Sequence, residues 1–595
     1  MNFSTPVADL GEPIDIVVVG GGMAAVMAAL AAKTAENRVL IIEPSNVLGG
    51  QGTAGGVAGF CGDTVRVNAP FAELVARLAE HQLIEPYRPN DDRRPYDLEW
   101  CAFFLQEMVT GRGIDLLLHA RVIDAGAVEG VVTSLTVATA GAMLRLRPRF
   151  VIDGSGACVV PRLAGFPVVH VGANQQLPMS LYFTLWDTGK KVTPILPAGC
   201  PSWLDDGAIP MTSVHGFPSG KVEVKMKVVG FDAADGRSRS AAEVFARRQM
   251  YGLIYYLQTR GYRGILLDRH VLAGVARGIG VREERRIVGE HVLIESEVRR
   301  AVVFDDAVAV NTYHIDFHWP DRMERAGTGI TDMLDPHHLP LRMMIPKGAS
   351  NLLVPGRGAS ADQTAMSAFR VMAVVAQMGF AAGHAARQCL ELHTDLRNVD
   401  LIRLQAAIRA GGQSLDLSDY GEYLRCDLFA HEDVLGPALR RGTYRDLSLR
   451  ALPNGGFSVA WSDGTDAWEC ARREKSWSVP LPGSVAPPGT SEAVLDGGEH
   501  AQVSVTPGGL TARITRVGPS GLATVREIAG EADASVLPAV LATRTGLAVI
   551  YATVNGILRF WHGSIERLVD GPPTAASIRL DTPSPHVDQP HGLYS

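Results

Sequence analysis

The chain has few cysteines and lacks the paired spacing that cysteine-based sites require. Its seven cysteines are scattered through 595 residues, their number is odd, and no C-x-x-C pair occurs. This usage argues against a disulfide framework or a zinc site built from cysteine pairs, and it fits a reducing compartment. We therefore expect a cytoplasmic protein without a metal site.

Charge and long hydrophobic runs are also scarce. Charged residues make up 20% of the chain, the formal net charge is −7, and no dense run of Lys or Arg occurs, so nucleic acid is not an expected partner. The apolar stretch 14–32 contains Asp15 and three glycines and follows no basic segment. It therefore predicts neither a membrane span nor a signal peptide.

Glycine, by contrast, is abundant. The 63 glycines are about 11% of the residues, against a usual share of about 7%. Glycine costs backbone entropy on folding, so an excess needs a reason. The sequence has no three-residue period of the collagen type. The excess therefore indicates either many turns with positive φ or a backbone that approaches something closely.

The order of the predicted elements indicates an α/β fold. Short apolar runs that end in glycine or acidic residues alternate with Ala-rich helical stretches, as in a buried parallel sheet. The predicted strands are 16–19, 38–43, 114–118, 149–153 and 351–354, and the predicted helices include 23–34 and 367–392. We predict a Rossmann-like domain over 1–165 and 341–410, an inserted α+β substrate domain over 166–340, and a mostly β C-terminal domain over 411–595.

A dinucleotide fingerprint lies between the first predicted strand and helix. Gly20, Gly22 and Ala25 fit the pattern G-x-G-x-x-G/A, in which the glycines allow a tight turn and close approach of backbone N–H groups to a pyrophosphate. Glu43 follows at the end of the second strand, close to the spacing that places a carboxylate on a ribose hydroxyl. These residues predict a dinucleotide, and the fingerprint alone leaves FAD and NAD open.

The residues after Glu43 carry a resemblance that favours FAD. The stretch 43–53 reads EPSNVLGGQGT, and its Leu-Gly-Gly turn resembles that of glutathione-reductase-like FAD proteins. Further segments in matching order resemble a family of FAD-dependent oxidoreductases related to the fumarate reductase flavoprotein and to thiazole-forming enzymes. These segments are 17–29 with 41–55, 96–99 with 114–122, 151–156, 281–290, and 345–357 with 368–372.

The resemblance implies a set of FAD contacts and a helix near the flavin. It points to a helix in 365–372 whose N-terminus stabilises negative charge on the reduced flavin pyrimidine, with Arg370 adding charge and Asp362 near the ribityl chain. The expected cofactor-binding residues are Gly20, Gly22, Met23, Ala24, Ala25, Glu43, Pro44, Gly49, Gly50, Gln51, Thr53, Val122, Gly154, Gly356, Arg357, Asp362, Phe369, Arg370 and Met372.

Two arginines in the segment 281–290 are candidates for binding substrate. On a helix, Arg282 and Arg286 would share a face at i and i+4, and two guanidinium groups could hold a carboxylate. The alternative is that both arginines pair with neighbouring glutamates, namely Glu283, Glu284 and Glu290.

Histidines form the other group of candidates. In 313–318 the strand period places His314 and His318 on one face with Asp316 between them, and Arg342 follows later in the chain. A histidine beside a flavin could donate or accept a proton, whereas a structural role or a metal site are the alternatives. His318 is the first candidate because it resembles the histidine that ends the family's Tyr-x-Ile-Asp-x-His stretch.

Together these features predict an FAD-dependent enzyme that dehydrogenates or reduces a small polar metabolite. A flavin-dependent hydroxylase is the alternative among enzymes. The alternative from another class is a flavin-bound binding or assembly protein whose C-terminal tryptophans (Trp461, Trp468, Trp477 and Trp561) would bind a sugar or a partner. Cys61 could be a redox partner or a covalent tether, or an inert thiol. The sequence leaves a homo-oligomer open.

Overall fold

The computed structural model describes residues 13–423, apart from 89–92, 218–219, 300, 324–328 and 333, together with residues 7–9 and, beyond residue 423, Pro538 and a series of strands. Inter-residue contacts divide the chain into two compact units, of which the first runs to Tyr423 and the second from Leu424 to Gln589. The boundaries predicted after residues 165, 340 and 410 stay predictions.

The helices of the described residues lie in the first unit. In chain order they are α1 Met23–Ala32, α2 Ala69–Glu80, α3 Leu98–Thr110, α4 Val159–Leu163, α5 Gly236–Thr259, α6 Glu295–Arg299, α7 Gln363–Phe369, α8 Met372–Leu392 and α9 Leu401–Ala410. Short 3-10 helices span Gly50–Gly52, Leu341–Met344, Leu396–Asn398 and Leu417–Tyr423.

The strands of the first unit form one parallel sheet and several smaller sheets. They are β1 Val7–Asp9, β2 Ile14–Val19, β3 Val39–Ile42, β4 Gly59–Phe60, β5 Arg94–Pro95, β6 Asp115–Leu117, β7 Arg121–Val128, β8 Val131–Ala138, β9 Met143–Leu146, β10 Pro148–Asp153, β11 Val168–His170, β12 Met179–Asp187, β13 Thr212–Gly216, β14 Lys221–Val228, β15 His270–Val275, β16 Arg285–Ile287, β17 Ala307–Asn311, β18 Ile315–His318, β19 Gly329–Asp332, β20 His337–Pro340 and β21 Leu352–Leu353.

The central sheet confirms the predicted α/β fold. Its order is β21-β10-β2-β3-β6, and every neighbouring pair is parallel. Val17 and Val18 of β2 and Ile41 of β3 are fully buried, as continuous apolar strands of a parallel sheet require. The carboxyl ends of β2, β3 and β10 lead into the fingerprint loop, into Glu43 and into Gly154, so the predicted dinucleotide residues meet at one edge of this sheet.

Helix α1 packs closely on α8, and glycine makes this packing possible. A Cβ atom added at Gly379 would collide with the backbone of Ala24, and one at Gly383 would collide with the carbonyl oxygen of Ala28. These glycines stand four residues apart, so they lie on the same face of α8. The close contact fixes the first turn of α1 relative to α8.

A second sheet carries different chemistry on its two faces. Its order is β13-β14-β12-β15, and all its pairs are antiparallel. Val224, Met226 and Val228 of β14 share a buried apolar cluster with residues of α5. The intervening Glu223, Lys225 and Lys227 therefore lie on the opposite face, which we call the polar face of the inserted sheet.

The single helix predicted over 367–392 is wrong, because the chain bends there. Helix α7 ends at Phe369, α8 begins at Met372, and the two axes differ by 93°. Val371 has φ −77° and ψ 152°, an extended conformation that suits a β-branched residue and interrupts the helical hydrogen bonds. The bend turns the first turn of α8 away from α7.

Helix length and hydropathy bear on membrane spanning. No single helix among the described residues is both long and apolar enough to cross a bilayer. The bent pair α7 and α8 meets those criteria by length and composition.

The second unit consists of strands as far as the structure describes it. The strands are β22 Ala430–Val434, β23 Arg445–Ala451, β24 Phe457–Ser462, β25 Ala467–Arg473, β26 Ser476–Trp477, β27 Leu481–Pro482, β28 Glu492–Val494, β29 His500–Thr506, β30 Gly509–Thr515, β31 Ala523–Ala529, β32 Ala539–Ala542, β33 Gly546–Ala552 and β34 Leu558–Ser564. They form antiparallel sheets β22-β34-β33-β32, β23-β24-β25-β26 with β27 on β25, and β28-β29-β30-β31. The side chains of the four C-terminal tryptophans lie outside the described part.

Candidate functional site

The fingerprint loop follows β2 and lies against the loop that follows β10. Gly20 has a φ of +95°, and a Cβ there would lie 2.7 Å from the Cα of Ser155. A Cβ at Gly154 would lie 2.7 Å from the Cβ of Ala25. Larger residues would force these segments apart, so the predicted use of Gly20, Gly154 and a small residue at position 25 has a direct steric reason.

The Leu-Gly-Gly turn reaches the same place from the second strand. The Gly49 amide donates to the Gly21 carbonyl over 2.7 Å. Gly50 has a φ of +57°, and a Cβ there would lie 2.9 Å from the Cα of Gly22. Thr53 closes the turn by donating from Oγ1 to the Leu48 carbonyl over 2.6 Å. Where the fingerprint loop and the Leu-Gly-Gly turn meet, the contacting residues are therefore glycines, which have no side chains of their own to cover the backbone.

The Glu43 carboxylate is positioned at the start of this turn. Its Oε2 accepts from the Gly21 amide at 2.5 Å and its Oε1 accepts from the Ser45 amide at 2.8 Å. Glu43 is buried, whereas Pro44 is exposed. Each carboxylate oxygen can accept a further hydrogen bond, so Glu43 can bind ribose hydroxyls without losing its backbone partners.

Two of the described helices with ten or more residues begin without a side-chain cap, unlike the other helices of that length. In the described part, α2, α3, α5 and α9 each begin with an Asn or Asp side chain that accepts a backbone N–H of the first turn. Helices α1 and α8 begin after Gly22 and Val371, and neither has such a cap. Their first-turn N–H groups are thus available to a ligand with negative charge.

The start of α8 lies beside the glycine turns. A Cβ at Gly52 would collide with the Met372 sulfur. The Tyr96 hydroxyl donates to the Gly52 carbonyl over 2.8 Å and lies 3.5 Å from the same sulfur. The first turn of α8 therefore faces the segment that follows the Leu-Gly-Gly turn. Bare glycine backbone, two uncapped helix ends and the Glu43 carboxylate form a cradle that fits an extended dinucleotide.

The other predicted cofactor residues are placed as follows. Val122 is buried in β7, two residues after Ala120, whose amide donates to the Glu43 carbonyl over 3.1 Å. The Gln51 carbonyl accepts from the Val57 amide over 3.0 Å. Gly356 has a φ of +92°, and a Cβ there would lie 3.6 Å from that of Ala24.

Arg357 and Asp362 make contacts within the protein. Arg357 donates to the carbonyls of Gly156 at 2.9 Å and Val281 at 2.7 Å, and burial lowers the pKa of its guanidinium to about 10. Asp362 caps α7 by accepting from the Ala365 amide at 2.7 Å. Phe369 is fully buried in the core. A role for these residues in FAD binding stays a prediction.

Asp316 is the centre of a largely buried charged cluster beside α8. Its Oδ2 accepts from Arg370 Nη2 at 2.6 Å, and its Oδ1 lies 3.0 Å from Nε2 of His318. Although burial opposes the charged form, the hydrogen bond from His318 and the guanidinium of Arg370 hold the pKa of Asp316 well below its usual range. Arg370 stands two residues before the start of α8, so the cluster adjoins that helix end.

His318 is neutral in this environment. Burial lowers the pKa of His318 to about 3; the Asp316 carboxylate opposes this shift, whereas Arg282 and Lys225 add to it. The carboxylate at Nε2 favours the tautomer that carries its proton there, which leaves Nδ1 with a lone pair. His314 lies just before β18, and its ring contacts that of Tyr313, with centroids 4.0 Å apart and ring planes tilted by 34°.

The helix considered for Arg282 and Arg286 is absent from the described structure, so the shared helical face is wrong. Arg286 lies in β16 and forms a buried ion pair with Glu283, as the alternative held. Arg282 lies before that strand and donates to the Pro178 carbonyl at 2.7 Å and to Ser180 Oγ at 2.6 Å. The two arginines therefore have different partners and do not form one binding site.

Arg342 and the later histidines have partners of their own. Arg342 forms an ion pair with Asp306 at 2.9 Å, with about half of its side chain exposed. Nε2 of His338 lies 3.0 Å from the Leu415 carbonyl, and Nε2 of His337 lies 3.3 Å from Nδ2 of Asn311. None of these contacts involves Asp316, and a catalytic role for Arg342 stays a prediction.

Sequence reasoning missed the residues of the polar face of the inserted sheet. Lys225 pairs with Tyr182 across β12 and β14, and a Cβ at Gly56 would lie 2.6 Å from that of Tyr182. Glu223 forms an ion pair with Arg93 at 2.6 Å. The alternating stretch VEVKMKVV already separated these polar residues from the apolar ones, but it did not show which face would meet the glycine segment.

The segment around Cys61 lies between the start of α8 and the chain that leads into β18. A Cβ at Gly62 would lie 3.8 Å from the side chains of Tyr313 and Val374, and the Asp63 amide donates to Thr312 Oγ1 over 2.7 Å. Residues 61–63 therefore lie between the first turn of α8 and the chain that leads into β18. The thiol of Cys61 is partly buried.

Solved structures resemble this chain only distantly. The myxobacterial chondrochloren halogenase CndH shares 14% identity with a TM-score of 0.38 and matches 69% of this chain and 79% of its own. A geranylgeranyl bacteriochlorophyll reductase-like protein from Thermoplasma acidophilum shares 13% identity with a TM-score of 0.37, over 70% of this chain and 86% of its own. The p-nitrophenol 4-monooxygenase PnpA from Pseudomonas putida DLL-E4 shares 13% identity with a TM-score of 0.34, over 70% and 84%.

The family comparison covers most of the chain. No curated protein sequence matches it significantly. The family model described as FAD dependent oxidoreductase matches residues 15–408, which include the fingerprint, Glu43, the Asp316 cluster and α8. The cofactor of this family is FAD, in agreement with the cradle described above. The chain therefore belongs to the FAD-dependent oxidoreductase family.

Proposed function

We propose that this protein dehydrogenates or reduces a small polar metabolite by hydride transfer to or from FAD. The bound flavin supplies the two-electron chemistry, and the protein must hold the substrate and move a proton. The observation that carries the proposal is the Asp316 cluster, because it places a neutral imidazole on a fixed carboxylate beside the uncapped start of α8.

His318 is the proton-transfer residue of the proposal. Asp316 holds the imidazole through Nε2, and Arg370 keeps the carboxylate ionised. The lone pair on Nδ1 can accept a hydroxyl or amino proton while the substrate loses hydride, and in the opposite direction it can pass on a proton taken from solvent. Because the pKa of His318 is depressed to about 3, the ring is in the basic form throughout the neutral range.

The inserted sheet supports the proposal by covering the reacting region. Tyr182 on its polar face contacts the glycine segment at Gly56. Its other face is sealed by the apolar cluster with α5. A cover of this kind excludes water, which would otherwise compete for the proton and weaken polar contacts with the substrate.

The test is an anaerobic screen of the FAD-loaded enzyme. Small hydroxy, amino and keto acids and uncharged polyols are mixed with oxidised or reduced enzyme, and the flavin absorption is followed. We expect at least one compound to change the flavin redox state rapidly. The variant H318Q should slow that step by about 10²- to 10⁴-fold, as loss of a general acid or base does, without loss of bound flavin.

Other outcomes of the screen contradict the proposal. A reaction that needs molecular oxygen and leaves an oxygen atom in the product would assign the enzyme to the hydroxylases. Equal rates in H318Q and the unaltered enzyme would remove His318 from the proton-transfer role. A flavin that exchanges electrons with none of the compounds would favour the binding or assembly alternative.

A further inference from the structure

Lys225 carries a positive charge that no described residue neutralises by an ion pair. The residue lies in the middle of β14, on the polar face of the inserted sheet, opposite Tyr182 on one side and Ser213 on the other. Among the described residues, none accepts a hydrogen bond from Nζ of Lys225 or forms an ion pair with it. Its neighbour Lys227 differs, because its Nζ donates to the Trp319 carbonyl at 2.8 Å.

The charges around Lys225 do not balance. Arg282, Arg93 and Arg370 act against its protonation, and the Asp316 carboxylate acts in favour of it. Arg93 is neutralised by its own ion pair with Glu223. Arg282 reaches the same face of the sheet, because Ser180, which accepts its hydrogen bond, lies two residues from Tyr182 on β12. Asp316 is then the single carboxylate that acts on Lys225 alongside the positive charges of Arg282 and Arg370.

An excess of positive charge in a partly buried cluster is costly unless a ligand compensates it. Nη1 of Arg282 donates to the Pro178 carbonyl and to Ser180 Oγ, and the other N–H groups of this guanidinium form no hydrogen bond within the described residues. Nε of Arg370 is buried and likewise without a hydrogen-bond partner in the described part. The cluster therefore has N–H donors without acceptors as well as an excess of positive charge.

We propose that Lys225 and Arg282 form a subsite for a carboxylate group of the substrate. This inference rests on the proposed function, and it narrows the polar metabolite to a carboxylic acid. A substrate carboxylate bound there would pair with the Lys225 ammonium and the Arg282 guanidinium on the polar face of the inserted sheet. His318 on β18 would transfer the proton. Arg282 thus remains a candidate for binding a carboxylate, and Lys225 replaces Arg286 as the second cation.

The charge state of Lys225 suits this role and makes it measurable. Burial, and then Arg282, lower the pKa of Lys225 to about 8. The ammonium form therefore predominates at neutral pH and is lost as the pH rises through about 8. Carboxylate binding should weaken over the same range, because the neutral amine has no charge to offer.

The experiment measures the binding of simple probes to the FAD-loaded enzyme. Acetate and succinate are compared with the uncharged acetamide and succinamide, and binding is followed by flavin difference absorption and by the thermal unfolding midpoint. We expect at least one carboxylate to bind saturably at pH 7 and to bind at least tenfold more weakly at pH 9.5, and the amides not to bind. K225M and R282Q should each weaken carboxylate binding tenfold or more, and K225R should retain most of it.

Lys221 supplies a matched control. It lies on the same strand and the same face as Lys225, four residues away, and its side chain contacts the Phe217 ring at 5.1 Å instead of the charged cluster. K221M should therefore bind the carboxylates as the unaltered enzyme does. Equal weakening in K221M and K225M would indicate a diffuse charge effect and would overturn the subsite.

Two further results would overturn the inference without touching the proposed function. One is rapid flavin reduction by uncharged polyols with no binding of either carboxylate, which would leave the redox activity intact and the subsite refuted. The other is loss of FAD affinity in K225M with unchanged carboxylate binding, which would show that these cations serve the cofactor.

Discussion

At the scale of single residues, the sequence predicted the cofactor side of the site better than the substrate side. Gly20, Gly50 and Glu43 were predictable because each performs a task that few residue types can perform, such as positive φ or acceptance of two backbone N–H groups. Lys225 was not predictable, because a lysine on an alternating strand looks the same whether its face meets water or a neighbouring loop.

Substitution of Lys225 should stabilise the ligand-free protein in a pH-dependent way. Its pKa falls from the usual 10.5 to about 8, so the charged form opposes folding fully below pH 8 and progressively less as the pH rises toward 10.5. At pH 7, K225M should raise the free energy of unfolding by about 1–3 kcal/mol, since one pKa unit corresponds to about 1.4 kcal/mol.

Denaturant unfolding of the ligand-free protein at pH 7 and pH 10 measures this effect. The advantage of K225M should shrink at the higher pH, and K221M should show no such advantage. If K225M were less stable than the unaltered protein at both pH values, Lys225 would contribute to the fold instead of straining it, and the charge imbalance described for the cluster would be wrong.

At the scale of elements, local pattern identified the strands of the central sheet but misjudged one helical stretch. Apart from Asp15, the residues of β2 and β3 are apolar on both faces, which reports burial directly. The stretch 367–392 has helical composition throughout, yet the chain bends at Val371, next to Arg370, which pairs with Asp316 on β18. Periodicity did not show this bend, because the composition is helical on both sides of the extended Val371.

The packing of α1 on α8 gives a prediction at this scale. In G379A the added methyl group would collide with the backbone of Ala24, in the first turn of α1. We expect a loss of about 1–3 kcal/mol of stability from overpacking, together with weaker FAD binding, because the displaced turn belongs to the fingerprint. Thermal unfolding and FAD titration measure the two effects.

Gly172 provides the comparison for this variant. A Cβ there would meet nothing within 4 Å, so G172A should leave both the stability and the FAD affinity close to those of the unaltered protein. Normal FAD binding in G379A would mean that the two helices can separate without disturbing the fingerprint loop, contrary to the packing described here.

At the scale of the whole molecule, segments far apart in sequence converge on one edge of the parallel sheet. The fingerprint, the Leu-Gly-Gly turn, the Gly154 loop and α8 are brought together although residues 166–340 separate the first three from the last. The family model spans all of them as one match, residues 15–408. The order of these segments was readable from the sequence, whereas the arrangement of side chains between them required the structure.

These segments should together bind FAD, and a titration of FAD into the purified protein measures this binding. We expect saturable binding of one FAD per chain, and G50V should lose it because a side chain there would press on Gly22 at a positive φ. A protein that is colourless as purified and takes up no added FAD, or a G50V variant that binds FAD as well as the unaltered chain, would show that the glycine turns and the start of α8 do not form this site.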